Sequence, residues 1–278
     1  MTTDTVSCRC EAVDGLPQVS LTMPSYQQAG FIEEAVRSVL DQEGVDVELV
    51  VLDPGSTDGS QDILQRLKLI YGNRLVLHFG PDQGQSDAIN RGLTMARGRI
   101  IGWLNSDDRL RPAALRKIVE YLDSPDPRWL YGRCGIIDHE GRPISNIIVW
   151  YKNLRGRHFS QYKLLTEDFI PQMSVFWNRP IWERCGSRVD PKRHLDMDYD
   201  LWLRFGRIAQ PLIITEYLAD FRVHPDAKSS QRTFEAIDAA FITACEHAAD
   251  LGFRGQFAIL VHRLFRLRSK LIYRWLKP

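Results

Sequence analysis

The chain has 278 residues, of which 44% are hydrophobic and 26% charged, and its net charge is +1. These are the proportions of a globular protein long enough for one sizeable α/β domain, and they exclude a disordered or collagen-like chain. The near-neutral balance argues against a general nucleic-acid binder. Five cysteines at this length make no disulfide scaffold and leave one unpaired, which points to a reducing, cytoplasmic setting. The leader MTTDTVSCRCEAVDG has no apolar core for a secretion signal, and no run of about 18 uncharged apolar residues is present to span a bilayer.

Val19 to Met23 is a short apolar run ending at Pro24 and reads as a strand. Ile32, Ala35, Val36, Val39 and Leu40 then recur at helical spacing. Val47 to Leu52 is a buried strand stopped by Asp53-Pro54-Gly55, and Ser56 or Thr57 is placed to cap a helix carrying Ile63, Leu64 and Leu67. Leu75 to Phe79 is the third strand. Ser86 is placed as the cap of a helix marked by Ala88, Leu93 and Ala96, and Arg99 to Leu104 is the fourth strand. Pro112 to Leu122 is a further helix with its proline in the first turn.

Strand and helix thus alternate four times in about a hundred residues, the pattern of a mostly parallel sheet with helices on both faces. Ligands of such sheets bind at the carboxyl ends of the strands. Beyond Leu122 the pattern loosens. Gly132 to Val149 reads as a hairpin around Asp138-His139-Glu140-Gly141, and Met173 to Trp177 as a strand. Tyr199 to Ile208 reads as a helix, Leu212 to Val223 as extended chain, and the residues from Phe234 onward as helical. The expected organisation is a flexible leader over 1–16, one α/β domain over 17–228 and a helical segment over 229–278.

The chemistry-bearing clusters fall where that sheet would place them. Asn105-Ser106-Asp107-Asp108 follows the fourth strand. Adjacent carboxylates repel each other, and a hard divalent cation relieves that repulsion, although a solvated turn uses the same residues. Asp53 ends the second strand, where it can accept a hydrogen bond from a base or ribose or simply order a turn. Pro81 to Gly92, with Asp87 and Arg91, opens a helix after the third strand, a position that suits anions. Asp196, Asp198 and Asp200 crowd the start of a later helix, where acids complement the dipole and one of them is placed to act as a general base. His224 lies in the late segment Phe221-Arg222-Val223-His224-Pro225. No G-x-G-x-x-G, P-loop, G-x-S-x-G or C-x-x-C motif is present, which removes the commonest dehydrogenase, NTPase, hydrolase and zinc-site readings.

Seven of these segments, in order, resemble the inverting GT-A glycosyltransferases of family 2. They are Val19 to Tyr26, Ser38 to Gln42, Asp53 to Gly59, Ala88 to Gly92, Asn105 to Asp108, Asp198 to Arg204 and Arg222-Val223-His224. The resemblance covers about residues 17 to 228 and implies a GT-A fold, a nucleotide-sugar donor and a divalent metal, Mn²⁺ or Mg²⁺. By this resemblance Pro24, Ser25, Tyr26, Asp53, Asp87 and Arg91 line the donor site. Asp107 lies at the ribose and metal, Asp108 ligates the metal with Asp107 and His224 beside it, and Asp198 is the general base. The chain departs from the family at Pro54, where many members carry a second acid, and at Met197, where Glu is frequent. The base therefore rests on Asp198, with Asp196 and Asp200 in reserve. The implied reaction moves a sugar to a hydroxyl of a saccharide or lipid-linked acceptor in surface polysaccharide or glycolipid assembly. A catalytically inactive nucleotide-binding or scaffolding module would not need Asp107, Asp108 and Asp198 together. A nucleotidyltransferase would show a Gly-rich basic loop where this chain has Ser25-Tyr26-Gln27-Gln28.

Charge is uneven along the chain. Seven of the 36 basic residues lie between Arg254 and Lys277 with no acid among them, leaving 29 basic against 35 acidic residues elsewhere. At 100° per residue Phe257, Leu260, Leu264, Leu271 and Trp275 share one helix face. Arg263, Arg266, Lys270, Arg274 and Lys277 share another, and Arg268 alone falls among the apolar positions. A basic amphipathic helix of this kind suits the anionic inner face of a membrane, a homodimer contact, or packing on its own domain.

Overall fold

The computed structural model describes residues 15–144, 147–227 and 231–276. In chain order the first half holds β1 (Val19–Pro24), α1 (Ile32–Leu40), β2 (Val47–Asp53), α2 (Ser60–Tyr71), β3 (Leu75–Phe79), α3 (Gln85–Met95), β4 (Ile100–Trp103), β5 (Arg109–Leu110) and α4 (Ala114–Leu122). The second half holds β6 (Trp129–Ile137), α5 (Ile147–Arg155), α6 (Gln161–Thr166), β7 (Val175–Asn178), α7 (Arg179–Arg184), α8 (Met197–Ile208), β8 (Leu212–Arg222), α9 (Thr233–Ala248) and α10 (Gly252–Leu276).

The eight strands form one sheet in the order β3-β2-β1-β4-β7-β6-β8-β5. Strands β3, β2, β1 and β4 run parallel, as their continuous apolar runs require, because helices cover both faces. Strand β7 joins β4 antiparallel, and β6 joins β8 parallel with shifts in register around Arg133. One core lies between the sheet and α1, α2 and α4. The other lies on the opposite face beneath α6, α7, α8, α9 and the start of α10.

That second core is built from tryptophans. Trp202 of α8 lies between Trp103 and Trp129, stacked on both at centroid distances of 5.8 and 6.0 Å, while Trp177 meets Trp103 and Trp202 edge-on. Offset and edge-to-face ring pairs add to the burial of large apolar area, so α8 is fixed firmly on the carboxyl half of the sheet.

Several sequence expectations need correcting. Helix α2 begins at Ser60 after a left-handed Gly59, not at Ser56 or Thr57, because those hydroxyls are drawn into the loop instead. Ser86 caps no helix. It is buried in α3 and donates to the Arg193 carbonyl. Helix α4 starts at Ala114, so Pro112 precedes it. The reversal at Asp138 to Gly141 is real, with the Gly141 amide donating to the Asp138 carbonyl, but no second hairpin strand follows among the described residues. After the isolated Ile137–Pro143 bridge the next described element is α5, which packs beside β6. The leader expectation and Cys8 and Cys10 fall on residues outside those described. The cysteines that are described, Cys134, Cys185 and Cys245, are free thiols.

The terminal helix is oriented by its small and polar residues. Gly255, Ala258 and His262 face the domain, and a side chain at Gly255 would stand 2.6 Å from the Ala248 carbonyl. Its basic face is partly consumed inward. Arg266 and Lys270 both pair with Asp238, and Arg268 pairs with Glu167. The apolar stripe is the side that faces solvent. Phe253 is 81% exposed, and Phe257, Leu260, Leu264, Leu267 and Leu271 are each more than half exposed.

Candidate active site

The carboxyl ends of β1, β2 and β3 form the first wall of the site. Asp53 ends β2 fully buried, and its two oxygens accept from the Ser25 hydroxyl, the Gly55 and Ser56 amides, the Ser56 hydroxyl and the Gln61 amide group. A carboxylate offers about four lone-pair positions, so these five donors saturate it. Burial alone would raise the carboxyl's pKa, but the hydrogen bonds from Ser56, Gln61 and Gly55 outweigh it and hold the group below the usual carboxylate range. The structure therefore makes Asp53 the organiser of its loop. The loops after β1 and β2 are stapled to each other, with the Gln27 amide donating to Ser56 and the Ala29 amide to Asp58. Pro24 and Ser25 lie buried at the base of this wall, and the Tyr26 ring stands 61% exposed on it.

The third loop adjoins these two through the Gly80 amide, which donates to the Asp53 carbonyl. Asp87, in the first turn of α3, accepts from the Gln83 amide and lies 3.7 Å from Arg91. Arg91 is held by the Pro81 carbonyl and the His78 ring. The residues expected at the donor site therefore lie along one edge, at the ends of β1 and β2 and in the first turns of α3.

The loop after β4 separates its two acids. Asp108 points inward and is 1% exposed, one oxygen accepting from the Arg222 amide at 2.9 Å and the other from Asn105 at 3.4 Å. Burial, and then the charge of Asp107, push its pKa well above the carboxylate range. Asp107 points outward. Among the described residues its carboxylate has one partner, the His224 ring nitrogen at 3.2 Å. His224 is itself buried against Phe31, ring centroids 4.7 Å apart. The three residues expected at a metal thus come together with different exposures. Asp107 turns its carboxylate outward with the ring nitrogen of the buried His224 against it, while Asp108 is committed to the loop behind them. No cluster of three or more metal-type side chains occurs among the described residues. A cation here would draw on Asp107, His224 and the oxygens of a bound diphosphate, a donor set that suits Mn²⁺ or Mg²⁺.

Arg222 holds this corner together. Buried to 1% exposure, it donates to the Asp107 and Asp138 carbonyls and pairs with Glu34 of α1 at 2.5 Å, while its amide holds Asp108. Sequence motif order marked Arg222, but neither its burial nor its link to Glu34 was visible there. Gln172 was missed altogether. It donates to the Trp103 carbonyl and meets Asn105, which also accepts from Gln85. A lone glutamine in the otherwise largely apolar run from Phe169 to Trp177 was the signal available in the sequence.

The start of α8 supplies the remaining acids, and the structure distinguishes them. Asp196 is taken by Arg193 and Thr243. Asp200 is taken by Arg204 and His247, whose contacts outweigh burial and keep it below the carboxylate range. Asp198 has no side-chain partner among the described residues. Burial raises its pKa against the opposing amides of Tyr199 and of its own backbone. Asp168, unmarked in the sequence reading, lies beside it. Its Oδ1 is buried without a partner, and burial together with the Asp198 charge pushes its pKa up to about 7.

The arrangement therefore has three parts in sheet order. There is a loop wall at β3-β2-β1, an outward Asp107–His224 pair beside β4, and an unpaired carboxylate at the head of α8. The family model for glycosyl transferase family 2 matches residues 20–185. The protein belongs to glycosyl transferase family 2. A glycosyltransferase of Bacillus subtilis named for teichuronic acid biosynthesis, TuaG, is 33% identical over 78% of this chain and 83% of its own length. Two solved structures share the fold. The mannosyltransferase PcManGT from Pyrobaculum calidifontis in complex with GDP-Man and Mn²⁺ has a TM-score of 0.64 at 19% identity, over 92% of this chain and 76% of that one. S. aureus TarS 1-349 in complex with UDP-GlcNAc has a TM-score of 0.64 at 16% identity, over 91% and 73%. The α/β architecture expected from the alternating elements is thus a GT-A glycosyltransferase fold with added C-terminal helices.

Proposed function

We propose that this family 2 enzyme transfers a sugar from a nucleoside-diphosphate sugar to a hydroxyl of a saccharide or lipid-linked acceptor, with inversion, in the assembly of a surface polysaccharide or glycolipid. The observation that carries the reading is the separation of roles among six acids. Asp53, Asp108, Asp196 and Asp200 are consumed by internal partners, while at the carboxyl edge of the sheet Asp107 has only His224 as a side-chain partner and Asp198 has none among the described residues.

The donor's nucleotide is placed along the loops after β1, β2 and β3. The exposed Tyr26 ring offers a stacking face, Asp53 shapes the wall, and Arg91 supplies positive charge near Asp87. A divalent cation bound through Asp107 and His224 would offset the charge that develops on the diphosphate leaving group. That PcManGT was solved with GDP-Man and Mn²⁺ supports such a donor and metal. Asp198, ionised, accepts the proton of the acceptor hydroxyl. The hydroxyl oxygen forms the new bond to the anomeric carbon as the bond to the diphosphate breaks, and the electron pair leaves with the diphosphate. One displacement inverts the configuration, and no protein nucleophile is required.

We also place the enzyme at an anionic membrane surface through α10. No helix among the described residues is long and apolar enough to cross a membrane. The exposed stripe from Phe253 to Leu271 is flanked by the exposed Arg254, Arg263 and Arg274, and the helix contains no acid. Two copies packed stripe to stripe would bring like charges together, whereas acidic lipid headgroups would neutralise them. Flotation with vesicles containing phosphatidylglycerol tests this. Recovery of the protein with those vesicles and not with phosphatidylcholine alone is expected, and recovery with neither contradicts it. The transfer reading itself is tested by screening UDP- and GDP-sugars for Mn²⁺-dependent thermal stabilisation and then for product. Stabilisation by one donor, with transfer lost in Asp198→Asn, is expected. No stabilisation by any donor contradicts it.

A further inference from the structure

On the far side of β4 from the donor loops lies a cleft of about 300 Å³ whose lining includes Arg111, Arg133, Arg157, Trp150, Asn153 and Tyr217. Its floor is the β6–β8 ladder and its wall is α5. Two sequence features shape it. The ladder shifts register at Arg133, a β-bulge of the kind that re-aims a side chain. Gly135 leaves room for the ion pair that lies across the floor, since a side chain there would stand 2.3 Å from Asp220 and 2.7 Å from Arg111.

The charge in the cleft is one-sided. No acid lines it. The buried Asp220 behind the floor accepts from Arg111 at 2.7 Å and also from Arg109 at 3.0 Å, so one carboxylate serves two guanidinium groups. Arg133 and Arg157 have no carboxylate partner among the described residues. Arg111 and Arg133 both lie over the Tyr217 ring, at 4.7 and 6.0 Å, which holds the pair of guanidinium groups in place. The Trp150 ring opposite is 63% exposed. Exposed aromatic faces beside unpaired arginines are an unfavourable way to finish a surface, but they suit a ligand with apolar ring faces and negative groups.

The cleft also lies next to the chemistry. Gly135 pairs with Asp220, and two steps along the same ladder Ile137 pairs with Arg222, whose amide holds Asp108. Two strand residues span about 7 Å. Arg111 follows Asp108 by three residues, and α5 carries Lys152, whose charge acts on both Asp168 and Asp198.

We propose that this cleft is the acceptor subsite and that it selects an anionic saccharide, with Arg133 and Arg157 pairing with its carboxylate or phosphate groups and Trp150 and Tyr217 packing on its rings. The proposal rests on the glycosyltransferase reading for what happens to the bound chain, but its test needs neither donor nor transfer, so the two can fail separately.

The experiment titrates the full chain, without nucleotide, with a hexamer of galacturonic acid and with maltohexaose as the neutral control, read by tryptophan fluorescence and calorimetry. The acidic hexamer is expected to bind at least tenfold tighter, with affinity falling as salt rises. The Arg133→Gln/Arg157→Gln variant is expected to lose at least tenfold for the acidic hexamer only, and Trp150→Ala to weaken binding of it as well. All three residues are at the surface of the cleft, and an unchanged melting temperature establishes that the variants fold. Competition then identifies the anion. Displacement by inorganic pyrophosphate assigns it to a carrier diphosphate, and displacement by galacturonate alone assigns it to a sugar carboxylate, and both support an anion-reading cleft. Equal binding of the two hexamers, binding of neither, or unchanged binding in the arginine variant overturns the proposal.

Discussion

Trp202 of α8 stacks on Trp103 at the end of β4, with centroids 5.8 Å apart and planes within 13° of parallel. Asp107 follows Trp103 by four residues, and Asp198 precedes Trp202 by four, about one helical turn. The stack is therefore the rigid spacer between the loop that presents Asp107 and the helix that presents Asp198. Trp129 closes the other face of Trp202 at 6.0 Å, and all three rings are buried. Truncating Trp202 to alanine removes both stacks and leaves a large cavity, which costs on the order of 3–5 kcal/mol. Urea denaturation of Trp202→Ala should show a loss of that size, with a smaller loss for Trp202→Phe. A loss below about 1 kcal/mol would mean that the core repacks and the spacer is not needed.

The two neighbouring acids should behave differently. Asp107→Asn should abolish the Mn²⁺-dependent part of donor-induced thermal stabilisation while leaving the melting temperature of the free protein nearly unchanged. Asp108→Asn keeps an oxygen to accept the Arg222 amide, so it should retain metal-dependent stabilisation. Asp108→Ala loses that acceptor and should lower the melting temperature itself. The reverse pattern, with Asp108→Asn metal-blind and Asp107→Asn unaffected, would place the cation on the inner acid.

Asp198→Asn should keep donor binding and lose transfer by about 10²- to 10⁴-fold, the usual contribution of a positioned base. Asp200→Asn breaks contacts with Arg204 and His247, so it should act mainly on stability. Measuring the melting temperature alongside single-turnover transfer separates the two effects. Full turnover in Asp198→Asn would remove Asp198 from the chemistry.

Asp168 gives the fold a signed pH dependence. Its pKa is about 7 when folded, against about 3.9 for an ordinary aspartate in an unfolded chain. The folded state therefore binds the proton more tightly, and between about pH 4 and pH 7 stability falls as pH rises. Above that window the whole cost of the buried charge remains. Asp168→Asn removes the cost, so it should resemble the wild type at pH 5 and melt higher by about 2–5 °C at pH 8, the shift expected for a change of one or two kcal/mol in a chain of this size. An equal difference at both pH values would show that Asp168 does not titrate across this range.

The half of the molecule around β1 to β4 was legible because period and punctuation agreed. Val47 to Leu52 could only be a buried strand, and Asp53-Pro54-Gly55 could only end it. The second half was less so. The turn at Asp138 to Gly141 resembled the centre of a hairpin, but the β6 partners are β7 and β8, both far along the chain, and no local pattern encodes those pairings. Among site residues, motif order marked Asp107, Asp108, Asp198 and His224, but it could not tell which acids are taken by internal partners. That depends on distant partners, such as the Arg222 amide at Asp108 and Thr243 at Asp196. Asp168 and Gln172 lay in a segment with no motif. Helical periodicity grouped Phe257, Leu260, Leu264 and Leu271 on one side of α10, where all are exposed, but it could not say which face meets the domain. Asp238 and Glu167 decided that by drawing Arg266, Lys270 and Arg268 inward.

The most direct test is anomalous diffraction from crystals grown with Mn²⁺ and the UDP- or GDP-sugar that stabilises the protein most. The expected result is a manganese peak at about 2.1 Å from an Asp107 oxygen, the usual bond length for such a hard cation, within reach of His224 and touching the donor's diphosphate. A donor bound with no metal at Asp107, or a peak on some other cluster of acids, would contradict it.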